Sequence, residues 1–325
     1  MFIVLGHDAK AIESPGFRAL LRRGTEWAAT GSVGRESTPT AGSSVTAATR
    51  GDDAPKPSST ETESPAKADP ALAFEVCDDL IALVDGERTI WRFRHGAAHG
   101  KPHFDVLSPA SGPNLAWARP ADHPWHYGLW FSWKLVNGVN YWEEDRTTGH
   151  GEGRTTVTKL ELERRRDHSA RIDMEVSYHL ATDPPERFVL KERRTIEISA
   201  PNEKGAYLID WQAVHESGSE PVRLDRTPLP HEPRGSVSGG YAGLSFRFRP
   251  MSDRAAATPD EGIDFDSTDR FRGRAVALDY SGRIDERVAG VAILDHPGNP
   301  GSPTPWYAIR SRAMTFFSPA VICFE

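Results

Sequence analysis

Two histidines three residues apart, His123 and His126, lie in a stretch from Arg119 to Trp133 that also carries an aspartate and several aromatic rings. Neutral imidazoles can accept or donate a proton near neutral pH or ligate a metal. In an extended chain the two would face opposite sides; in a turn they can converge. Aromatic rings beside polar groups also suit a sugar, whose C–H faces stack while its hydroxyls seek hydrogen bonds. A second cluster, His231-Glu232 followed by Gly239-Gly240-Tyr241-Ala242-Gly243 and Arg247, offers a carboxylate and a glycine-rich backbone that allows close approach to a ligand. Tyr241 and Arg247 would line a pocket there. A third places Asp295 next to His296, with Pro297, Asn299, Pro300 and Trp306 close by. An adjacent Asp-His pair on a proline-stiffened loop is a plausible acid/base pair. His215, beside Glu216 at a strand end, reads instead as a surface residue.

These residues predict an acid/base site. His123 and His126 would act as acid or base with Glu232, Asp295 and His296 as partners. Arg119 and Arg247 would hold substrate oxygens, and Trp130 and Trp142 would stack. A metal-dependent oxygenase or lyase is an alternative; it needs three converging ligands, such as His123, His126 and His296 or a carboxylate, and would suit a divalent ion such as Fe(II). A third alternative is a carbohydrate-binding module without turnover. No nucleophile elbow, HExxH motif, cysteine-based zinc pattern or Rossmann fingerprint occurs.

The elements that must position such a site are strands. From about residue 71 onward the chain shows short apolar runs separated by turn residues. Leu80–Val84 and Thr89–Phe93 flank Asp85-Gly86, and Phe131–Leu135 and Val139–Trp142 flank Asn137-Gly138, a strong hairpin signal. Ile172, Met174, Val176, Tyr178 and Leu180 alternate with polar residues, as in a strand with one buried face. Further strands are expected over 187–199, 206–217, 243–248, 275–280 and 288–296. With no long helix among them, this predicts an all-β, mainly antiparallel fold, a large β-sandwich. Ala320–Glu325 is still strand-like, which suggests a domain truncated at its C-terminus.

The chain divides into three pieces. Residues 1–30 read as a strand, Phe2–Leu5, and a helix opened by Ser14-Pro15. They lack the basic start and long apolar core of a signal peptide. Residues 31–70 are mostly Ser, Thr, Pro, Ala and Gly, a disordered linker. Residues 71–325 form the β domain. The 325 residues carry a net charge of −7 with mixed signs along the chain. That argues against a nucleic-acid partner, which needs clustered Lys and Arg. No apolar run approaches 18 residues, so no transmembrane segment is expected. Cys77 and Cys323 stand far apart and read as two buried strand thiols.

Residues 1–30, with Leu5-Gly6-His7-Asp8 and Trp27-Ala28, resemble the closing strand and helix of the ThuA (trehalose-utilisation) family. The resemblance implies that the rest of such an α/β domain would be a partner in a longer protein. It also associates the chain with sugar catabolism. Residues from about 74 to 325 resemble the family named for methane oxygenase PmoA. The matching residues are Lys101–Phe104, Asp122–Phe131, Asn137–Trp142, Ile209–Trp211, Gly239–Leu244, Asp295–Asn299 and Trp306. On this resemblance His103, Asn299 and Trp306 join the substrate-binding candidates. Where that family carries His-Pro-His-His followed by Arg, this chain has Trp125 and Tyr127, leaving His123 and His126. The chain lacks the spanning helices of the membrane subunit that shares the name. By fold-level analogy the β domain resembles the galactose-mutarotase supersandwich, which implies a small carbohydrate as substrate.

Overall fold

The computed structural model describes residues 2–6, 72–109, 112–203, 205–259, 262–311 and 314–319. Their regular secondary structure is antiparallel strand throughout, apart from one 3₁₀ turn at Ala97–His99. Among the described residues no helix is long and apolar enough to cross a membrane. The expected helix after Ser14, the 31–70 linker and the 320–325 strand lie outside the described residues.

Two large sheets and one small one make up the fold. The nine-stranded sheet runs Arg270–Arg274, Pro305–Ser311, Met314–Pro319, Gly243–Arg247, Leu129–Ser132, His103–Leu107, Arg88–Arg94, Leu80–Asp85 and Leu72–Val76. The eight-stranded sheet runs Ser252–Ala257, Ala277–Ile284, Arg287–Leu294, Phe2–Gly6, Leu208–Ser217, Leu190–Ile198, Ala170–Leu180 and Gly153–Arg164. Phe2–Gly6 thus pairs on both sides, with Arg287–Leu294 and with Leu208–Ser217.

The two sheets share one apolar core. Trp91, Phe104, Ile172, Ile209, Tyr280, Trp306 and Phe317 are buried in it. Two tyrosines tie the layers with hydrogen bonds: Tyr207 donates to the Ile90 carbonyl at 3.3 Å and Tyr280 to the Ile309 carbonyl at 3.1 Å. Each places an apolar ring in the core and satisfies its hydroxyl on the opposite sheet. The alternation over Ala170–Leu180 follows the sequence pattern to Val176; from Ser177 to His179 both faces are covered.

A small sheet joins Leu224–Asp225, Leu135–Val136 and Val139–Asn140. Its hairpin turns at Asn137 and Gly138, both at positive φ (51° and 81°), as an Asn-Gly turn requires. The stretch expected as one strand from Phe131 is therefore two. Leu129–Ser132 stays in the nine-stranded sheet and the chain then leaves it for the hairpin.

Two expectations need correction. Cys77 is exposed rather than buried, because it follows the edge strand Leu72–Val76. His215 is part of the interior rather than the surface. Its Nε2 accepts a hydrogen bond from the Trp133 indole at 3.2 Å and lies 3.8 Å from Glu192. Glu192, Arg194 and Tyr178 are fully buried. Arg194 donates to Glu192 through Nε and Nη2 at 2.6 and 2.9 Å, and Tyr178 donates to the same carboxylate at 2.8 Å. The guanidinium also stacks 4.7 Å from the Trp211 ring. Replacing one member leaves the other charge buried and unpaired, which costs about 3–5 kcal/mol. We expect Arg194→Met to lower unfolding stability in urea by that amount. A loss below about 1 kcal/mol would show that this buried pair contributes little to stability.

Candidate active site

The histidine-bearing loop, residues 117–128, is closed at its base by the strand beside it. The Trp117 amide donates to the Arg247 carbonyl at 3.0 Å, and the Arg247 amide donates to the Gly128 carbonyl at 2.7 Å. Inside it, the Arg119 amide donates to the His126 carbonyl at 2.6 Å. Two tight turns follow, with the His123 amide on the Pro120 carbonyl and the His126 amide on the His123 carbonyl, each at 3.0 Å. Gly128 ends the loop at φ +78°, where a Cβ would sit 2.3 Å from the Phe104 carbonyl oxygen. Only glycine lets the loop enter the central strand Leu129–Ser132 at this point.

The turns bring the two histidines together. Their rings stack with centroids 4.7 Å apart and planes at 26°. His123 Nδ1 donates to Asp122 Oδ2 at 2.9 Å, and the same oxygen accepts from Arg247 Nη2 at 2.8 Å. The Arg247 side chain is fully buried. Burial raises the Asp122 carboxyl, but the His123 hydrogen bond and the Arg247 charge outweigh it and hold the group below its ordinary range. His126 is buried, and its Nδ1 has no hydrogen-bond partner among the described residues. Burial first, then the charges of His123, Arg247 and Lys101, push it well below the ordinary imidazole value. It is therefore neutral at pH 7.

His123 and His126 line a cleft of about 110 Å³ together with Trp125, Trp142, Glu143, Tyr241, Arg270, Tyr307 and Phe316. The Glu143 carboxylate is held in place by Lys134 Nζ, by Asn140 Nδ2 at 2.6 Å and by the Tyr241 hydroxyl at 2.9 Å. Trp142 packs 5.3 Å from Trp130, which lies beneath the cleft as part of its apolar support.

On the far side of the same wall lies a second, polar group. Glu144 accepts from Lys101 Nζ at 3.0 Å, from Arg119 Nη1 at 3.1 Å and from the Tyr127 hydroxyl. Burial lowers the Lys101 ammonium, while Glu144 opposes the shift. For Glu144 burial works upward, but Lys101, Tyr127 and Arg119 prevail and keep it below its usual range. His103 donates from Nδ1 to the Lys101 carbonyl at 2.6 Å, and burial pushes it down to about 4. The wall alternates: His126 and Glu143 face the cleft, while their neighbours Tyr127 and Glu144 face away from it.

The structure thus unites His123, His126, Trp142 and Tyr241 in one cleft, with Trp130 and Arg247 supporting it from below. Arg119 and His103 join the Glu144 group instead. Glu232, Asp295, His296, Asn299 and Trp306 stand apart from the cleft. Glu232 takes two hydrogen bonds from Arg226, at 2.6 and 2.8 Å, and one from the Leu229 amide, which fasten its own loop. Asp295 accepts from Asn299 at 2.7 Å and the Thr304 amide at 2.8 Å. His296 Nδ1 accepts from the Gly298 amide at 2.9 Å, which stiffens the turn. Trp306 is buried in the main core. His296 therefore does not join His123 and His126, and among the described residues no three His, Cys, Asp or Glu converge as metal ligands.

Sequence reasoning passed over Asp122, Glu143, Glu144 and Tyr127. Asp122 carried a usable signal, since it precedes His123 as Asp295 precedes His296. The adjacent carboxylates Glu143 and Glu144, directly after the Asn137–Trp142 run, carried another.

Because His103 takes up its proton near pH 4 when folded but near 6.5 when unfolded, the unfolded chain binds the extra proton between those values. Stability therefore falls as pH drops through that window. We expect His103 alone to remove about 2 kcal/mol between pH 7 and pH 5, with Asp122 and Glu144 adding the same sign at lower pH. Urea unfolding at both pH values should show the loss, and His103→Gln should shrink it; an unchanged pH dependence in that variant would refute the assignment.

A family model described as a family of unknown function, DUF6807, matches residues 81–321. No curated protein and no solved structure matches the chain.

Proposed function

Since the chain belongs to the family of unknown function DUF6807, we propose its activity from the cleft: a carbohydrate-active enzyme that performs acid/base chemistry at His123. The observation that carries this is the hydrogen-bonded chain Arg247–Asp122–His123 opening onto an aromatic cleft that also holds Glu143. With Nδ1–H committed to Asp122, the tautomer assigned from that hydrogen bond leaves the Nε2 lone pair of His123 as the base. Nε2 takes a proton from a substrate hydroxyl or an acidified C–H. The Asp122 carboxylate, oriented by Arg247, stabilises the imidazolium that results. His126 stays neutral and supports the ring of His123 by stacking. Glu143 and the Tyr241 hydroxyl bond sugar hydroxyls, and the Trp142 and Tyr307 rings pack against the sugar's C–H face.

The cleft is smaller than the roughly 300 Å³ at which drug-sized pockets begin. It suits one terminal sugar ring, including an oxidised one, rather than an internal stretch of glycan. The likeness of residues 1–30 to the ThuA tail, and of the β domain to the galactose-mutarotase supersandwich, supports the sugar reading. The aromatic lining also favours a second reading, a binding module that holds a sugar without converting it.

Proton NMR of the purified protein with a panel of neutral monosaccharides, glycosides and keto-glycosides tests both. We expect turnover of at least one, reduced by about 100-fold or more in His123→Asn and Asp122→Asn, and a raised KM in Trp142→Ala. Full activity in His123→Asn would remove the site. Binding without turnover across the panel would leave the binding-module reading in its place.

A further inference from the structure

The polar side of the wall is itself a cavity. It encloses about 340 Å³, three times the histidine cleft, and its lining includes Lys101, Arg119, Tyr127, Glu144, Arg154 and Thr155. That volume lies within the range of small-ligand sites. Its size follows from local chemistry. Gly100, at φ +77°, lets the Tyr127 hydroxyl approach where a Cβ would lie 2.2 Å from it. Backbone at Gly149, Gly151 and Gly153 forms another side without side chains to fill the space.

The charges in it do not cancel. Glu144 is engaged by Lys101, by Arg119 Nη1 and by Tyr127. One carboxylate therefore faces three cations, Lys101, Arg119 and Arg154. Arg119 commits Nη1 to Glu144 and Tyr127, and its Nε and Nη2 have no hydrogen-bond partner among the described residues. Arg154 makes no ion pair among them. Thr155, more than nine-tenths buried, leaves its Oγ1 without a hydrogen-bond partner among the described residues. A buried hydroxyl with no partner costs free energy that a bound group would restore. Guanidinium groups with free N–H donors match the oxygens of a carboxylate or phosphate.

We propose that this cavity is a second binding site, distinct from the histidine cleft, for a small hydroxylated molecule bearing an oxyanion. Arg119 and Arg154 hold the oxyanion, and Thr155 with the neighbouring backbone receives the hydroxyls. Because residues 126–127 and 143–144 form the wall between the two spaces, ligand here presses on the elements that hold His126 and Glu143.

Titration calorimetry and ligand-observed NMR on the whole chain test this with glucuronate, glucose 6-phosphate and glucose as probes. We expect one or both anions to bind at least 10-fold more tightly than glucose, with affinity falling as salt rises. Glucuronate alone would mark a carboxylate site and glucose 6-phosphate alone a phosphate site. Arg154→Gln should weaken the anion at least 10-fold and Arg154→Lys less, while Thr155→Val weakens it with charge intact. His123→Asn should leave it unchanged. The proposal fails if glucose binds equally well and loses as much affinity in Arg154→Gln as the anions do, if neither anion binds at millimolar concentration, or if folded Arg154→Gln keeps full affinity for them. It also fails if His123→Asn abolishes anion binding, because the anion then sits in the cleft. The cleft's own reading rests on turnover of neutral sugars, so either can fail without the other.

Discussion

A fully buried guanidinium needs a counter-charge, and the pairing of Arg247 with Asp122 organises the end of the sandwich that carries the histidine cleft. Its strand, Gly243–Arg247, is central to the nine-stranded sheet and pairs with Leu129–Ser132. Its backbone closes the base of the 117–128 loop on both sides, and its Nη2 reaches the loop's tip at Asp122. One residue thus fixes where the loop leaves the sheet, where it returns and how its carboxylate is aimed. His123 inherits its orientation from that carboxylate. The fold supplies the rigid floor, since a strand paired on both sides cannot shift without breaking two ladders.

The wall built on this floor separates two environments. At 126–127 and at 143–144 adjacent side chains line opposite spaces, so two short segments furnish both. On the cleft side burial and nearby positive charge keep His126 neutral, while His123 sits against a carboxylate. Two imidazoles in stacking contact are thereby given different electrostatic roles, because two adjacent positive rings would repel. On the other side Glu144 is the shared acceptor for Lys101, Arg119 and Tyr127. Without it the buried Lys101 ammonium would face a low-dielectric interior with no counter-charge.

Much of the fold was legible because strand periodicity is a local property. The Leu80–Asp85 and Arg88–Arg94 hairpin, the Asn137-Gly138 turn and the buried face of Ala170–Leu180 all follow from neighbouring residues. The strands Gly153–Arg164, Ser252–Ala257 and Arg270–Arg274 had no such signal, since charged and small residues dominate them. The site was half legible. His123 and His126 stood out by type and spacing, and their convergence needed only a turn. Their partners did not, because Arg247 is 125 residues from Asp122 in the chain. Glu232 and Asp295 looked equally reactive in sequence, yet each has its oxygens occupied by its own loop. Sequence shows which groups can react; only the tertiary contacts show which are already spent on structure.

The central claim is that burial and charge divide the paired histidines into one oriented by a carboxylate and one held neutral near pH 7. Nitrogen-15 NMR of the imidazoles across pH 5–8 tests it most directly. The account predicts that His123 carries its proton on Nδ1 in the neutral form, and that His126 does not titrate in this range. A His126 that gains a proton near pH 6.5, or a neutral His123 protonated on Nε2, would contradict it.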